Sequence, residues 1–159
     1  MISTNLNISH EYICKRLFTQ SGYTARSREA MGVPHSLCDT IAITGDDMRV
    51  INEYIATSAR TAVSTISRYT SSCSLEICNK DNGNEIDYYQ IQFNLPDNFP
   101  ERNIDQINKE VIDYIVAGTM QQWAMLMKPD EANIYAARTQ NHLLQLRDIL
   151  TMRNKPTIK

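Results

Sequence analysis

Histidines, cysteines and one pair of aspartates are the residues of this chain that could do chemistry. The three histidines are His10, His35 and His142, and none lies in a recognised metal-binding motif. We therefore expect no metal site and no bound cofactor. The histidines are interpreted as surface or half-buried structural residues.

The four cysteines, Cys14, Cys38, Cys73 and Cys78, show no CxxC spacing. Cys73 and Cys78 are five residues apart, which places them on opposite faces of a strand. This pattern predicts four reduced thiols in a cytosolic setting.

The adjacent pair Asp46 and Asp47 could serve as acid–base or metal carboxylates, or as the start of a helix. Thr44 and Asp47 have the spacing of a capping box, which favours a helix start. The chain has no glycine-rich phosphate loop, no GxSxG motif and no kinase motif set. Trp123 is interpreted as part of a packed core or a subunit contact, with a ligand pocket as the alternative. We expect a protein without enzymatic activity.

Composition limits the class of protein. The chain has 159 residues, of which 42 % are apolar and 21 % charged, and its formal net charge is −2. These values are ordinary for a globular protein and argue against binding nucleic acid by bulk charge. No apolar stretch is long enough to span a membrane, and the first residues lack the pattern of a secretory signal.

Apolar residues at helical spacing predict three long helices. They cover residues 45–69, 103–128 and 129–153, and Pro129 suits the first turn of the last one. A short amphipathic helix is predicted from Ile8 to Thr19, with Asn7 as its cap and Gly22 just past its end. Residues 24–34 fit either two helical turns or a surface loop. Residues 35–43 are expected to be irregular or extended, with Ile41 and Ile43 facing the same way.

Residues 72–95 carry a β-hairpin signal, because two alternating segments flank a turn-forming run at residues 79–84. A two-residue Asn82-Gly83 loop would place the two apolar rows on opposite faces. One extra loop residue pairs Ile77 with Tyr89 and keeps a single apolar face. We therefore predict a three-residue loop, with Gly83 or Asn84 in the left-handed conformation.

The predicted fold class is mainly α (α+β). It is a bundle of three long helices plus a short N-terminal helix, with one protruding antiparallel β-hairpin. Residues 1–159 are expected to form a single domain. Its parts are a helical body (7–69 and 103–153), a hairpin arm (72–95) and a C-terminal tail (154–159).

Basic residues gather towards the end of the chain, where residues 128–159 hold six basic and three acidic side chains. One interpretation is an ordinary solvated surface. The other is a surface that meets DNA phosphate or an acidic partner. The candidate residues for the second interpretation are Arg147, Arg153, Lys155 and Lys159.

Two segments resemble virion proteins of tailed phages. Residues 38–59, with Asp39, Asp46, Asp47, Ile51, Ile55 and Ala59, resemble the opening of head–tail connector (adaptor) proteins. Residues 123–156 are similar to small virion proteins of phages that infect Bacteroides-type bacteria, including the crAss-like group. The resemblance implies a helical core with a β-hairpin or extended arm. It also implies a homo-oligomeric, dodecameric ring beneath the portal, located in the virion neck and enclosing a passage for DNA.

On this basis we expect a structural virion protein, made in the host cytoplasm, that joins portal to tail and lines or seals the DNA passage. Its expected partners are other copies of itself, the portal, neighbouring ring or tail proteins, and packaged DNA, but no membrane. The candidate contact residues are Tyr88, Tyr89, Ile91 and Phe93 on the hairpin and Pro156 and Ile158 on the tail. The alternative is a cytosolic helical regulator or adaptor that binds another protein without catalysis.

Overall fold

The chain folds into four helices and one small antiparallel sheet in the computed structural model, which describes residues 1–32, 41–81 and 83–154. The strands are β1 (Ile2–Ser9), β2 (Cys73–Asn79) and β3 (Ile86–Leu95). The helices are α1 (His10–Ala30), α2 (Met48–Ser67), α3 (Ile104–Met127) and α4 (Pro129–Thr151). The prediction of a mainly helical α+β chain is confirmed.

The helices α2, α3 and α4 begin and end within three residues of their predicted bounds. α3 is the central helix, because it packs against α1, α2 and α4 and also touches β1. α2 follows a short 3₁₀ turn at Gly45–Asp47, where the Asp47 carboxylate accepts hydrogen bonds from Thr44 N (2.8 Å) and Thr44 Oγ1 (2.9 Å). The predicted helix start at Thr44 and Asp47 is confirmed.

α2 and α3 approach each other closely at Gly118. A Cβ atom at Gly118 would lie 2.8 Å from Ser58 Oγ, which is closer than packed atoms come. A side chain at position 118 would therefore require Ser58 to change rotamer or the helices to move apart, so packing rather than backbone conformation favours glycine here. The small buried residues of α2, Ser58, Ala59 and Ala62, allow the close approach.

The prediction of a short N-terminal helix is wrong in two respects. Residues 2–9 form β1, whose buried Thr4, Leu6 and Ile8 alternate with exposed polar residues. The helix begins later, at His10, where the Ser9 hydroxyl accepts a hydrogen bond from Tyr12 N (3.3 Å) in place of the predicted Asn7 cap. In the sequence, Ile8 fits both the apolar stripe of a helix with Tyr12 and the alternating pattern of a strand. In the structure this segment pairs with β3, and Ile8 belongs to the strand.

α1 also continues past Gly22, where it was expected to stop. Its second half is held by the buried Ser21, whose hydroxyl accepts a hydrogen bond from Ile43 N (3.0 Å). Thr24 adds a hydrogen bond between its hydroxyl and that of Tyr135 (2.9 Å). Gly32, with φ of +85°, follows the end of the helix. Of the residues predicted to be irregular, Ile41 and Ile43 were expected to face the same way, and both are buried. Residues 35–40 lie outside the described residues.

The predicted hairpin does not protrude. It forms a three-stranded sheet in the order β1-β3-β2, one face of which lies on the helices. On β3 the residues Tyr89, Ile91, Phe93 and Leu95 are at most 2 % exposed. An isolated hairpin is marginal in water, and burial against β1 and the helices supplies the missing stability.

The predicted register is confirmed, but its cause differs from the prediction. Ile77 pairs with Tyr89, and Leu75 pairs with Ile91. Near the turn, however, Asn79 pairs with Ile86, which is the register of the shorter loop. The extra residue is Asp87, accommodated by a bulge in β3 rather than by the loop. The described Gly83 and Asn84 do not have positive φ, so the predicted left-handed conformation at these residues is wrong.

The burial of β1 yields a stability prediction. We expect Leu6→Ala to lower the free energy of unfolding by about 2–4 kcal/mol, because it leaves a cavity beneath the sheet. The neighbouring exposed Asn5→Ala is the control and should change it by less than about 0.5 kcal/mol. Urea denaturation followed by circular dichroism measures both, and equal effects would mean that β1 does not pack on the helices.

Candidate functional site

The outer edge of β2 is the first candidate for a functional surface. β1 and β2 each pair only with β3, so both are edge strands among the described residues. The apolar row of β2, formed by Cys73, Leu75 and Ile77, is only partly covered, and Ile77 is 37 % exposed. On β1, by contrast, Leu6 and Ile8 are at most 5 % exposed. An edge strand with an incompletely covered apolar row is a template for pairing with another chain.

The sheet face away from the helices, here called the outer face, is polar and nearly uncharged. Gln90 donates to Asn7 Oδ1 (3.2 Å), and Gln92 donates to Gln90 Oε1 (3.1 Å), so amide groups bond across and along the strands. The outer face consists of Ser3, Asn5, Asn7, Ser9, Ser74, Glu76, Cys78, Tyr88, Gln90, Gln92 and Asn94. Glu76 is the one ionised side chain in this set at neutral pH.

The predicted contact residues on the hairpin divide between the two faces. Tyr88 lies on the outer face and is half-buried. Tyr89, Ile91 and Phe93 instead fill the core of their own chain, since that face of β3 carries the helices. They are therefore not exposed to a partner in this fold. Pro156 and Ile158 lie outside the described residues.

The predicted basic residues already have contacts within the chain. Arg153 donates to the carbonyl oxygens of Leu150 (2.7 Å) and Met152 (2.6 Å) and thereby binds the end of α4. Arg147 is exposed and lies 3.4 Å from Asp148 Oδ1. Lys155 and Lys159 lie outside the described residues.

A partly buried network of charged residues joins α1, α3 and α4, and it was not predicted from the sequence. Asp113 accepts hydrogen bonds from Arg16 Nη1 (2.5 Å) and Lys109 Nζ (2.7 Å). Glu110 Oε2 lies 2.8 Å from His142 Nδ1, which is the arrangement of a histidine N–H donating to a carboxylate. Both carboxylates are less than a tenth exposed. Two signals were present in the sequence. Lys109 and Asp113 have the four-residue spacing of an ion pair on a helix, and Glu110 and Asp113 share a helix face.

Glu110, Asp113 and His142 could also be considered as metal ligands, because their ligand atoms lie within 4.8 Å of one another. The two oxygens of Asp113 are, however, already bound to Arg16 and Lys109. The two cations balance the two carboxylates, so the cluster is neutral when His142 is uncharged. A metal ion would have to displace both basic side chains, and the geometry is that of an ion network that holds three helices together.

An open groove lies beside this network between α1 and α3. It has a volume of about 520 Å³, and Tyr12, Arg16, Lys109 and Asp113 are among the residues that line it. Arg16 and Lys109 both bond to Asp113, which leaves Asp113 without a free oxygen to act as a base. The other ionisable side chains of the groove, Tyr12 and Asp105, are exposed.

A second polar cluster brings the first histidine and the first cysteine together. Cys14 Sγ lies 3.5 Å from His10 Nε2, and the same nitrogen lies 2.7 Å from Asn52 Oδ1. Burial raises the pKa of the Cys14 thiol to about 11, so the thiol stays protonated and is a poor nucleophile at neutral pH. The described cysteines Cys14, Cys73 and Cys78 are free thiols, as predicted, while Cys38 lies outside the described residues.

Trp123 belongs to the core, as the sequence predicted. It is 3 % exposed, and its indole N–H donates to the carbonyl oxygen of Ile41 (2.8 Å). This bond ties α3 to the segment before α2. None of the helices in the described residues is both long and apolar enough to cross a membrane.

No protein-family model, curated protein or solved structure matches the chain.

The ion network predicts a dependence of stability on pH. Burial alone would raise the pKa of Asp113, but Lys109 and Arg16 outweigh it and hold the pKa below its ordinary value. A lowered folded-state pKa contributes stability above the unfolded pKa of about 3.9, and this contribution is lost as pH falls through the folded pKa. We therefore expect Asp113→Asn to lower the free energy of unfolding by about 1–3 kcal/mol at pH 7 and to have a smaller effect at pH 3.

Urea denaturation at pH 7, 5 and 3 measures this effect. The matched control is Asp105→Asn, which changes an exposed aspartate in the first turn of the same helix and should cost at most about 0.3–1 kcal/mol at pH 7. An equal loss of stability for Asp113→Asn at pH 7 and pH 3 would contradict an ion pair at this position.

Proposed function

We propose that this chain is a structural virion protein that forms a ring between the portal and the tail of a phage. The resemblance of residues 38–59 and 123–156 to phage neck proteins suggests this role. The observation that carries the proposal is the sheet, which has two open edges and a half-covered apolar row on one of them.

Open sheet edges suit permanent assembly. An added strand forms backbone hydrogen bonds along its length and has its register set by the alternating side chains. When the contact joins two different surfaces of identical subunits, rotation can close them into a ring. A ring that uses one edge from each of two neighbours leaves no sheet edge exposed.

The polar outer face suits a surface that borders DNA without holding it. Proteins bind DNA non-specifically through lysine and arginine contacts to phosphate. Among the outer-face residues there is neither lysine nor arginine, and the side-chain amides of Asn7, Gln90 and Gln92 bond to one another. The phosphates of DNA passing such a surface would contact bound water and polar side chains rather than form ion pairs. Arg147 and Arg153 are further proposed points of contact with DNA or an acidic partner.

The ring function is tested by the mass of the purified chain, alone and with the cognate portal. We expect a species that is a multiple of the 18.2 kDa subunit, formed either alone or on the portal. A monomer or dimer that ignores the portal would contradict the proposal and favour a helical regulator that binds another protein.

A pair of substitutions locates the contact. Ile77→Glu places a charge in the apolar row of β2 and should weaken assembly about tenfold or more, because the contact would bury an unpaired carboxylate. Leu144→Glu is the matched control, since Leu144 on α4 is 39 % exposed and Ile77 is 37 % exposed. Light scattering at several concentrations measures both variants, and an equal loss of assembly would place the contact elsewhere.

A further inference from the structure

We propose that β2 of one copy pairs in parallel with β1 of the next copy, so that their apolar rows lie side by side. This inference rests on the proposed ring and specifies which surfaces form its contact. It follows from the hydrogen-bond groups that each edge leaves free and from the direction of the side chains beside them.

On β2, the free backbone groups belong to the residues of the apolar row. Asn94 N donates to Ser72 O (3.3 Å), so the even-numbered residues of this segment bond to β3. Because successive residues of a strand point their N–H and C=O groups to opposite sides, those of Cys73, Leu75 and Ile77 point outwards. Their side chains face the helices.

On β1, the free backbone groups belong to the residues of the outer face. The even-numbered residues of β3 bond to β2, so its odd-numbered residues bond to β1. Their partners on β1 are even-numbered, as Leu6 with Ile91 shows. The outward N–H and C=O groups of β1 are therefore those of Ser3, Asn5 and Asn7, whose side chains are polar and exposed.

This difference selects the direction of pairing between β2 and β1. In an antiparallel pair, the two residues that exchange hydrogen bonds lie opposite each other on the same face. That arrangement would place Leu75 opposite Asn5 or Asn7. The apolar row of β2 would then share a face with the polar residues of β1. In a parallel pair, a residue lies beside one residue of the other strand. Its backbone hydrogen bonds go to the residues before and after that one. Leu75 would then bond to Asn5 and Asn7 and lie beside Leu6, which keeps both apolar rows on one face.

The sheet within one chain also suggests the level at which the two strands meet. Leu6 and Leu75 both pair with Ile91, and Thr4 and Cys73 both pair with Phe93. A rotation about an axis along the strands moves no residue along them, so Leu75 would lie beside Leu6 of the next copy. A stagger of two residues, as strand tilt in a closed sheet introduces, keeps the same faces matched.

Two other self-pairings satisfy the same rule, namely β2 with β2 and β1 with β1 of a second copy, each in antiparallel direction. The partly covered apolar row favours β2 with β2 among these two. With Leu75 opposite Leu75, the apolar rows match, and Glu76 lies opposite Ser74 rather than opposite another Glu76. This contact is symmetric and produces a closed dimer that leaves β1 open. The parallel contact instead uses both edges and passes from subunit to subunit, as a ring requires.

Disulfide linkage distinguishes the two contacts. We use Asn5→Cys/Ser74→Cys on a background with Cys38→Ser and Cys78→Ser. Within one chain Asn5 and Ser74 both pair with Gln92, so β3 separates them by about 10 Å, beyond the reach of a disulfide. In the parallel contact they are neighbours on the outer face. Mild oxidation should therefore link most chains into a ladder of covalent oligomers, and each single variant should give less than about a tenth of that linkage.

Two further pairs, Ser3→Cys/Ser74→Cys and Asn7→Cys/Ser74→Cys, cover a stagger of two residues in either direction. A ladder from any one of the three pairs supports the parallel contact. If none links although the protein forms ring-sized particles, the inference is wrong and the proposed function stands. Closed covalent dimers from Ser74→Cys/Glu76→Cys, without a ladder from the other pairs, would show the antiparallel contact. A chain that neither links nor assembles with the portal would contradict the proposed function itself.

Discussion

The fold depends on burying one face of a three-stranded sheet. β3 lies in the middle, and its alternate residues Tyr89, Ile91, Phe93 and Leu95 are almost completely enclosed. The enclosure requires β1 on one side, β2 on the other and helices across one face. The same arrangement leaves two strand edges and a polar face outside, so the proposed contacts are the parts of the sheet that folding does not use.

Periodic sequence patterns predicted most of the fold where one period dominates. The apolar stripes of α2, α3 and α4 repeat over five or more turns, so the bounds of these helices were predicted to within three residues. The pairing of Ile77 with Tyr89 was also found, because only one register keeps the apolar residues on a single face. The bulge at Asp87 was not predicted, because one extra residue in the loop and one extra residue in β3 shift the pairing by the same amount.

The N-terminal segment and the ion network show where sequence patterns stop being informative. Residues 2–9 alternate in polarity, but Ile8 also fits a helical stripe, and only a long-range pairing with β3 resolves the conflict. His142 and Glu110 are 32 residues apart and meet because α3 and α4 fold back on each other. Arg16 arrives from a third helix, 97 residues from Asp113. Contacts of this kind depend on packing angles that no local spacing encodes.

The most direct test of the open β2 edge is amide hydrogen exchange, residue by residue, in dispersed and assembled protein. In dispersed protein, the amides of Cys73, Leu75 and Ile77 should exchange quickly, and those of Ser74 and Glu76 should be protected by β3. Assembly should protect Cys73, Leu75 and Ile77 as well. If these three amides exchange at the same rate before and after assembly, the edge of β2 takes no part in the contact and the account of the sheet as an assembly surface is wrong.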